Sequence, residues 1–148
     1  MKDQLVSLET AVLAKELGFD EYTDCIFINS NYPMRVVSSH NDKNSSNNEE
    51  YCSDGYHVYD FVCSDPTQAL LQKWIREIHG ECVYCVPVVN TSFEVIYYYY
   101  EIIADLVAYD ISHEKERYKT YEEALEAGLQ TSLKFLKTKK NERRTNNF

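Results

Sequence analysis

The fold is decided by residues 119–136, KTYEEALEAGLQTSLKFL, which predict a helix that can be followed from one end to the other. Thr120 and Glu123 have the spacing of a capping box, in which a hydroxyl and a carboxylate each accept a hydrogen bond from a free backbone N–H group. Carboxylates near the start of the helix and lysines near its end suit the helix dipole. We expect the rest of the chain to pack around this helix.

One side of this helix is apolar, and the middle of that side is small. At about 100° per residue, most apolar residues fall on one side and the charged residues fall on the other. The small residues are Ala124, Gly128 and Ser132. Because a glycine inside a helix costs roughly 1 kcal/mol relative to alanine, we expect Gly128 to be compensated by a close approach to a sheet. The helix is therefore interpreted as a packing element.

Two further helices are predicted earlier in the chain. The first covers residues 7–17 and is followed by Gly18 in the left-handed conformation. The second is expected to begin with Asp65 as the N-cap and Pro66 at the first helical position, and to end at Gly80.

Segments rich in β-branched and aromatic residues predict the strands, and a turn sequence connects two of them. The predicted strands are residues 24–29, 56–62, 82–89 and 93–100. Residues 90–92, Asn-Thr-Ser, predict a hairpin turn between the last two strands. The apolar residues 102–111 either extend the last strand or form another one.

The remaining segments complete the predicted architecture. The polar run 38–51, SSHNDKNSSNNEEY, has neither a helical nor a strand period, so it predicts a flexible loop. The order α-β-β-α-β-β(-β)-α predicts an α+β fold in which about three helices pack on a small antiparallel sheet. A length of 148 residues suits one domain, placed at residues 1–137, and residues 138–148 predict a flexible basic tail.

The charge is unevenly distributed along the chain. The net charge is −9, but the residues from Lys134 onward carry six Lys or Arg against one Glu. The residues before Lys134 therefore carry nine Lys or Arg against 23 Asp or Glu, a charge of −14. An acidic body disfavours general binding to nucleic-acid phosphates, so nucleic acid is not expected as a partner except through the basic tail.

The hydropathy of the chain and its cysteine count give expectations for cellular location and for the redox state of the thiols. No apolar run approaches 18 residues, so no membrane span is expected. The N-terminus lacks a basic and apolar secretion signal, which favours a cytoplasmic protein. The five cysteines are an odd number in a chain without such a signal, which argues for reduced thiols.

No motif in the chain carries recognisable chemistry. Cys82 and Cys85 form a CxxC, but residues three apart in a strand point to opposite faces, and no second motif completes a zinc site. The chain has four glycines and no phosphate-binding loop. We therefore expect no metal, no cofactor, no catalytic residue and no enzymatic activity. A hydrolase with paired carboxylates is left as an alternative, although nothing selects the pair.

Residues 97–100 are four consecutive tyrosines, and they provide the candidate binding surface. In a strand, alternate residues face opposite sides, so one pair of tyrosines should lie beneath a helix and the other should be exposed or face a ligand. Tyrosine suits interfaces because it combines apolar area with a hydroxyl group. Tyr98 and Tyr100, with Arg76 and His79 nearby, are the residues predicted to form the surface.

Three stretches of the chain carry a resemblance to a known family. They are ETAVLAKELGFDE at residues 9–21, PTQALLQKWIREIHG at 66–80, and YKTYEEALEAGLQTSLKFL at 118–136. Together they resemble a family of small uncharacterised proteins of bacteriophages, prophages and gut bacteria. The resemblance implies a phage or mobile-element accessory protein, located in the host cytoplasm if phage-encoded. It assigns no catalytic residue.

The expected function is non-enzymatic binding to a host or phage protein. The acidic body, the tyrosine-rich strand and the phage-like resemblance favour it, and homo-oligomer formation is left open. One alternative is a counter-defence protein that sequesters a small nucleotide signal by aromatic stacking and Arg76. Another alternative is an acidic nucleic-acid mimic, which the charge of the body would favour.

Overall fold

The computed structural model describes residues 4–29, 33–42, 44, 50–52, 58–104 and 116–145. Within this part of the chain the elements are α1 (Leu8–Leu17), β1 (Thr23–Ile28), β2 (Met34–Asp42), β3 (Glu50–Cys52), β4 (Val58–Asp65), α2 (Gln68–His79), β5 (Glu81–Val89), β6 (Val95–Ala104) and α3 (Tyr121–Thr145). The prediction of an α+β fold with antiparallel pairing is confirmed. The described strands form two sheets, whereas the sequence predicted one.

The described residues divide into two compact units, each considered by itself. The first consists of the described residues of Leu5–Thr67, and the second consists of Gln4 and the described residues of Gln68–Phe148. The placement of a single domain at residues 1–137 remains a prediction. Among the described residues, no helix is both long and apolar enough to cross a membrane.

The first unit is a four-stranded antiparallel sheet, in the order β2-β1-β4-β3, with α1 packed on β4. Helix α1 forms as predicted. The Ser7 side chain accepts a hydrogen bond from the backbone N–H of Thr10 at its start, and Gly18 ends it with a φ of 99°. Its buried residues pack with those of the sheet. The buried apolar residues of this unit are Val6, Ala11, Leu13, Ala14, Leu17, Phe19, Ile26, Phe27, Ile28 and Cys63.

The predicted flexible loop at residues 38–51 is partly wrong, because both of its ends are strands. Strand β2 continues to Asp42 and β3 begins at Glu50. These strands lie at the two edges of the sheet, and polar residues are common in edge strands. Between them, the Asn44 amide donates to the Phe19 carbonyl at 2.7 Å and accepts from the Ser64 backbone at 3.0 Å. Residues 43 and 45–49 lie outside the described part.

The predicted N-cap of the second helix is also wrong. Asp65 is the last residue of β4, and α2 begins only at Gln68. The buried Asp65 carboxylate forms an ion pair with the guanidinium of Arg35, which also donates to the Val6 carbonyl at 2.6 Å. A buried carboxylate needs a charged partner, so this pairing places Asp65 in the sheet and removes it from the helix start.

The second unit is the hairpin of β5 and β6, with α3 on one face and α2 against β5 and α3. The Gln72 amide donates to the Val83 carbonyl of β5 at 2.7 Å, and the Gln68 amide donates to the Glu122 carbonyl of α3 at 3.0 Å. These side chains therefore join α2 to its two neighbours. The buried apolar residues are Leu71, Trp74, Ile75, Val83, Tyr100, Ile102, Ala104, Ala124, Leu125, Leu129, Leu133 and Leu136.

Helix α3 confirms both local predictions made for it. The Thr120 hydroxyl accepts from the Glu123 backbone at 3.1 Å, and the Glu123 carboxylate accepts from the Thr120 backbone at 3.3 Å, which completes the capping box. A Cβ at Gly128 would lie 2.7 Å from Val83 Cγ1 and 3.0 Å from Tyr100 Cβ. The expected close approach of Gly128 to a sheet is therefore present.

The basic residues after Leu136 continue α3, which corrects the prediction of a flexible tail from residue 138. The helix runs to Thr145, and only residues 146–148 lie outside the described part. No Pro or Gly follows Gly128 in this helix, and Lys, Glu and Arg favour helical structure. The hydroxyl of Thr138 donates to the Lys134 carbonyl at 3.1 Å, one turn earlier.

Strand β6 extends beyond the predicted strand and ends at Ala104. The apolar segment predicted at 102–111 is therefore partly a continuation of this strand. Residues 105–115 lie outside the described part. The outer edge of β6 is bridged by Tyr118, whose backbone exchanges two hydrogen bonds of 2.9 Å with Tyr98.

Candidate protein-binding surface

The turn between β5 and β6 is fixed by Asn90. Its carbonyl accepts a hydrogen bond from the Phe93 backbone at 3.1 Å, and its backbone N–H donates to the Glu94 carbonyl at 2.9 Å. The Asn90 side-chain oxygen also accepts from the backbones of Ser92 at 2.9 Å and Glu94 at 3.0 Å. The predicted hairpin turn is confirmed, but it includes Phe93, which the sequence had placed in the following strand.

Phe93 combines an unfavourable backbone with an exposed ring. Its φ is 62°, in the left-handed region, and the residue is 87% exposed. Glycine or asparagine usually occupies this position of a three-residue hairpin loop, and a bulky residue there costs roughly 1–2 kcal/mol. Strained residues held in place by their surroundings cluster at functional sites. Phe93 is therefore the first candidate for a binding residue.

Phe93 belongs to an exposed apolar group at the end of the hairpin. The group, here called the tip cluster, consists of Val89, Phe93, Val95 and Ile96, all exposed. The one charged residue between residues 82 and 100 is Glu94, and its carboxylate accepts a hydrogen bond from the Asn90 amide at 3.0 Å. Exposed apolar patches on a folded protein commonly mark interaction sites.

The four tyrosines alternate as predicted, but the predicted binding pair is the one beneath α3. Tyr100 is only 1% exposed, and its hydroxyl shares a hydrogen bond of 2.9 Å with the Thr131 hydroxyl. Burial raises the pKa of Tyr100 above its usual value. Tyr98 is half-buried, with its ring centroid 6.2 Å from that of Tyr121. Tyr100 therefore belongs to the core and cannot contact a partner directly.

The other two predicted site residues lie on α2 and do not join these tyrosines. Arg76 is exposed, and His79 is half-buried with its ring 4.7 Å from that of Trp74. Burial, followed by the charge of Lys140, lowers the pKa of His79. Within the described residues, no hydrogen bond, ion pair or ring contact links Arg76 or His79 to Tyr98 or Tyr100. The predicted set does not form one surface.

The opposite face of the hairpin carries the other tyrosines. This tyrosine face is defined by Tyr84, Tyr97, Tyr99 and Glu101. Tyr84 pairs with Glu101 across the strands, and the Tyr99 hydroxyl donates to Glu101 Oε1 at 3.3 Å. The guanidinium carbon of Arg117 lies 4.7 Å from the centroid of the Tyr97 ring. The alternation of the tyrosines could be read from the sequence, but the side that α3 covers could not.

A buried carboxylate joins the hairpin to α3. Glu81 is 1% exposed, and its Oε2 accepts a hydrogen bond from the Ser132 hydroxyl at 2.7 Å. Its Oε1 lies 3.7 Å from the Lys139 ammonium. Glu81 is not among the residues predicted for the site, although a charged residue at the start of an otherwise apolar strand is a signal that the sequence contains. The hydrogen bond to Oε2 and the ammonium near Oε1 offset the cost of burying this charge and hold α3 in place.

The CxxC residues are separated as expected from a strand. The side chain of Cys82 lies on the tyrosine face, whereas the Cys85 thiol donates to the Tyr121 carbonyl of α3 at 3.7 Å. Burial, with a smaller contribution from Glu122, raises the pKa of Cys85 to about 12. In the part of the chain that the structure describes, no three His, Cys, Asp or Glu side chains are close enough to hold a metal ion.

Comparison of the chain with protein-family models, curated proteins and solved structures gave no match. The resemblance to phage and prophage proteins, based on the three helical segments, therefore remains an expectation. The tip cluster and the tyrosine face are the distinctive surface features. Six of the eleven exposed large apolar side chains among the described residues lie on strands β5 and β6 or the turn between them.

Proposed function

We propose that this chain is a non-enzymatic, phage-type accessory protein that binds a host or phage protein in the bacterial cytoplasm through the tip cluster. The observation that carries the proposal is the position of Phe93, which is 87% exposed on a left-handed backbone. The unfavourable backbone is explained if the aromatic ring gains its contacts in a complex. Aromatic residues that fill a partner's pocket commonly dominate binding energy.

The rigidity of the turn supports a binding role. Four hydrogen bonds between Asn90 and backbone atoms of residues 92–94 fix the backbone on which Phe93 is presented. A surface that is already ordered loses little conformational entropy when it binds, so more of the contact energy appears as affinity. In a complex, the exposed side chains of Val95 and Ile96 would surround the Phe93 ring and exclude water from it.

The charge of the hairpin favours a protein partner over a lipid surface. Residues 81–104 contain three glutamates and no lysine or arginine. Apolar segments that insert into bilayers are usually accompanied by basic residues, which are attracted to anionic lipids. Sequestration of a nucleotide is less well supported, because the Glu101 carboxylate lies on the same face as the tyrosine rings and would repel phosphates.

Affinity capture with matched variants tests this function. The full-length protein, Phe93→Asn and Val37→Asn would each be used to capture proteins from a bacterial or phage-infected lysate. Asn accepts the left-handed backbone, and Val37 is an exposed residue of the other unit, so both variants should fold. We expect a specific protein to be retained by the wild type and by Val37→Asn, and reduced at least about tenfold by Phe93→Asn. Equal capture by all three proteins would contradict the function.

A further inference from the structure

The tyrosine face contains a carboxylate surrounded by aromatic side chains. Tyr84 is 48% exposed and lies directly across the strands from Glu101. Side chains paired in this way have Cβ atoms about 4.5–5.5 Å apart. The Tyr99 hydroxyl contacts the same carboxylate, with 3.3 Å between its oxygen and Glu101 Oε1. The Glu101 carboxylate therefore contacts one phenol group and lies across the strands from a second tyrosine, on a partly exposed surface.

Within the part of the chain that the structure describes, the Glu101 carboxylate forms no ion pair. The ion pairs of Asp65 with Arg35 and of Glu81 with Lys139 involve other carboxylates. A carboxylate in a partly apolar setting gains a strong, charge-assisted hydrogen bond when a cation approaches it. This position therefore favours the approach of a cationic group of a binding partner.

The same face already accepts guanidinium groups. Arg117 lies over the Tyr97 ring, 4.7 Å from its centroid, in the geometry of a cation–π contact. Arg76 of α2 is close enough to Tyr84 for its charge to act on the phenol hydroxyl. Both arginines belong to this chain, and neither pairs with Glu101. The contact between Arg117 and the Tyr97 ring is the type of contact that an arginine of a partner would make.

We propose that the tyrosine face binds an arginine side chain of the protein partner, with the guanidinium on the Tyr84 ring and hydrogen-bonded to Glu101. Arginine fits better than lysine because its flat group stacks on a ring while its paired donors match a carboxylate. The inference rests on the proposed function, because it assigns a property to that same partner. A second copy of the chain is a poorer occupant, since facing hairpins would bring their glutamates together.

The first test uses labelled peptides and the full-length protein. Binding of a fluorescein-labelled peptide of alternating glycine and arginine would be measured by fluorescence anisotropy, beside a matched peptide with citrulline, the uncharged analogue of arginine. We expect the arginine peptide to bind about tenfold more tightly at low salt, with a smaller difference at high salt. Equal affinity for both peptides at low salt would overturn the inference.

Matched variants then locate the peptide on the protein. Glu101→Gln should weaken binding of the arginine peptide about fivefold to tenfold, while the exposed control Glu21→Gln, with the same change in net charge, should leave it unchanged. Tyr84→Leu should weaken binding and Tyr84→Phe should retain it, because the ring makes the contact. Equal effects of Glu101→Gln and Glu21→Gln would show non-specific attraction to an acidic protein and overturn the inference.

Two further measurements separate this inference from the function on which it rests. Phe93→Asn should leave peptide binding intact, because the tip cluster is not part of the tyrosine face. Loss of partner capture in Phe93→Asn together with equal binding of both peptides would retain the proposed function and reject the arginine contact. Analytical ultracentrifugation of the protein alone should give the same oligomeric state for the wild type and for Tyr84→Leu. A dimer that is lost in Tyr84→Leu would show that a second copy of the chain occupies the tyrosine face and would overturn the inference.

Discussion

Asn90 holds Phe93 in a left-handed backbone conformation at the end of the hairpin. The two residues are joined by a hydrogen bond of 3.1 Å from the Phe93 N–H to the Asn90 carbonyl, while the Phe93 ring is 87% exposed. The turn could be formed more favourably with glycine at position 93. The residue at position 93 that would be best for folding therefore differs from the one that we propose for binding. Stability and partner binding can then be measured separately in variants of this residue.

Replacing Phe93 by glycine should stabilise the protein. The substitution removes the steric cost of the left-handed conformation, although glycine has greater backbone freedom in the unfolded chain, and the net gain should be about 1 kcal/mol. Urea denaturation monitored by the fluorescence of Trp74 measures the free energy of unfolding. A loss of stability would show that the Phe93 ring packs within the protein, which would argue against its role as a binding residue.

Replacing Gly128 by alanine should destabilise the protein, despite the higher helix propensity of alanine. The new methyl group would lie 2.7 Å from Val83 Cγ1, and this short buried side chain cannot move away easily. Overpacking of this kind usually costs about 1–3 kcal/mol, which exceeds the roughly 1 kcal/mol gained in helix propensity. Thermal unfolding gives the comparison, with the helix residue Ala127→Gly as a control for propensity. A more stable Gly128→Ala would contradict the close packing of α3 on the hairpin.

Replacing Ser132 by alanine should also lower stability, through the buried carboxylate of Glu81. The Ser132 hydroxyl donates to Glu81 Oε2 at 2.7 Å, and hydrogen bonds to charged groups contribute about 1.5–3 kcal/mol. Denaturant unfolding measures the loss, which should be smaller in the double variant Ser132→Ala with Glu81→Gln than the sum of the single losses. Additive effects would show that the two side chains do not interact.

The thiols of Cys63 and Cys85 should react slowly in the folded protein. Burial raises the pKa of Cys63 from 9.0 to about 12 and that of Cys85 from 9.0 to about 12, which keeps both protonated at neutral pH. Because the thiolate is the nucleophile, raising the pH to about 9 should accelerate alkylation in the unfolded chain far more than in the folded one. Mass spectrometry after iodoacetamide treatment reports each site. Equal rates for Cys63 with and without urea would contradict its burial.

The same pKa shifts give stability a defined pH dependence. The neutral thiols are favoured in the folded state, so their contribution is fully present below the unfolded pKa of 9.0 and is lost as the pH rises towards about 12.

Local features of α3 could be predicted from the sequence because their partners are close in the chain. Thr120 and Glu123 form the capping box within one turn, and the backbone alone determines that alternate tyrosines face opposite sides. The sequence also predicted that Gly128 lies close to a neighbouring element. It did not predict which residues of that element Gly128 contacts.

The predictions that were wrong depended on distant partners. Asp65 has the local signature of an N-cap, but an ion pair with Arg35, 30 residues earlier, places it in a strand. The polar segments of β2 and β3 become strands because they pair with β1 and β4, which no local pattern showed. Phe93 was assigned to a strand because the role of the Asn90 side chain in the turn was not recognised. The side of the hairpin covered by α3 likewise depends on tertiary packing.

The measurement that tests the central claim most directly is photo-crosslinking from position 93 in bacterial cells. A photoreactive phenylalanine analogue would replace Phe93 in one experiment and Val37, which is 77% exposed, in the other. We predict one discrete crosslinked product with a bacterial or phage protein from position 93 and no such product from position 37. The absence of a product from position 93, or the same product from both positions, would contradict binding through the tip cluster.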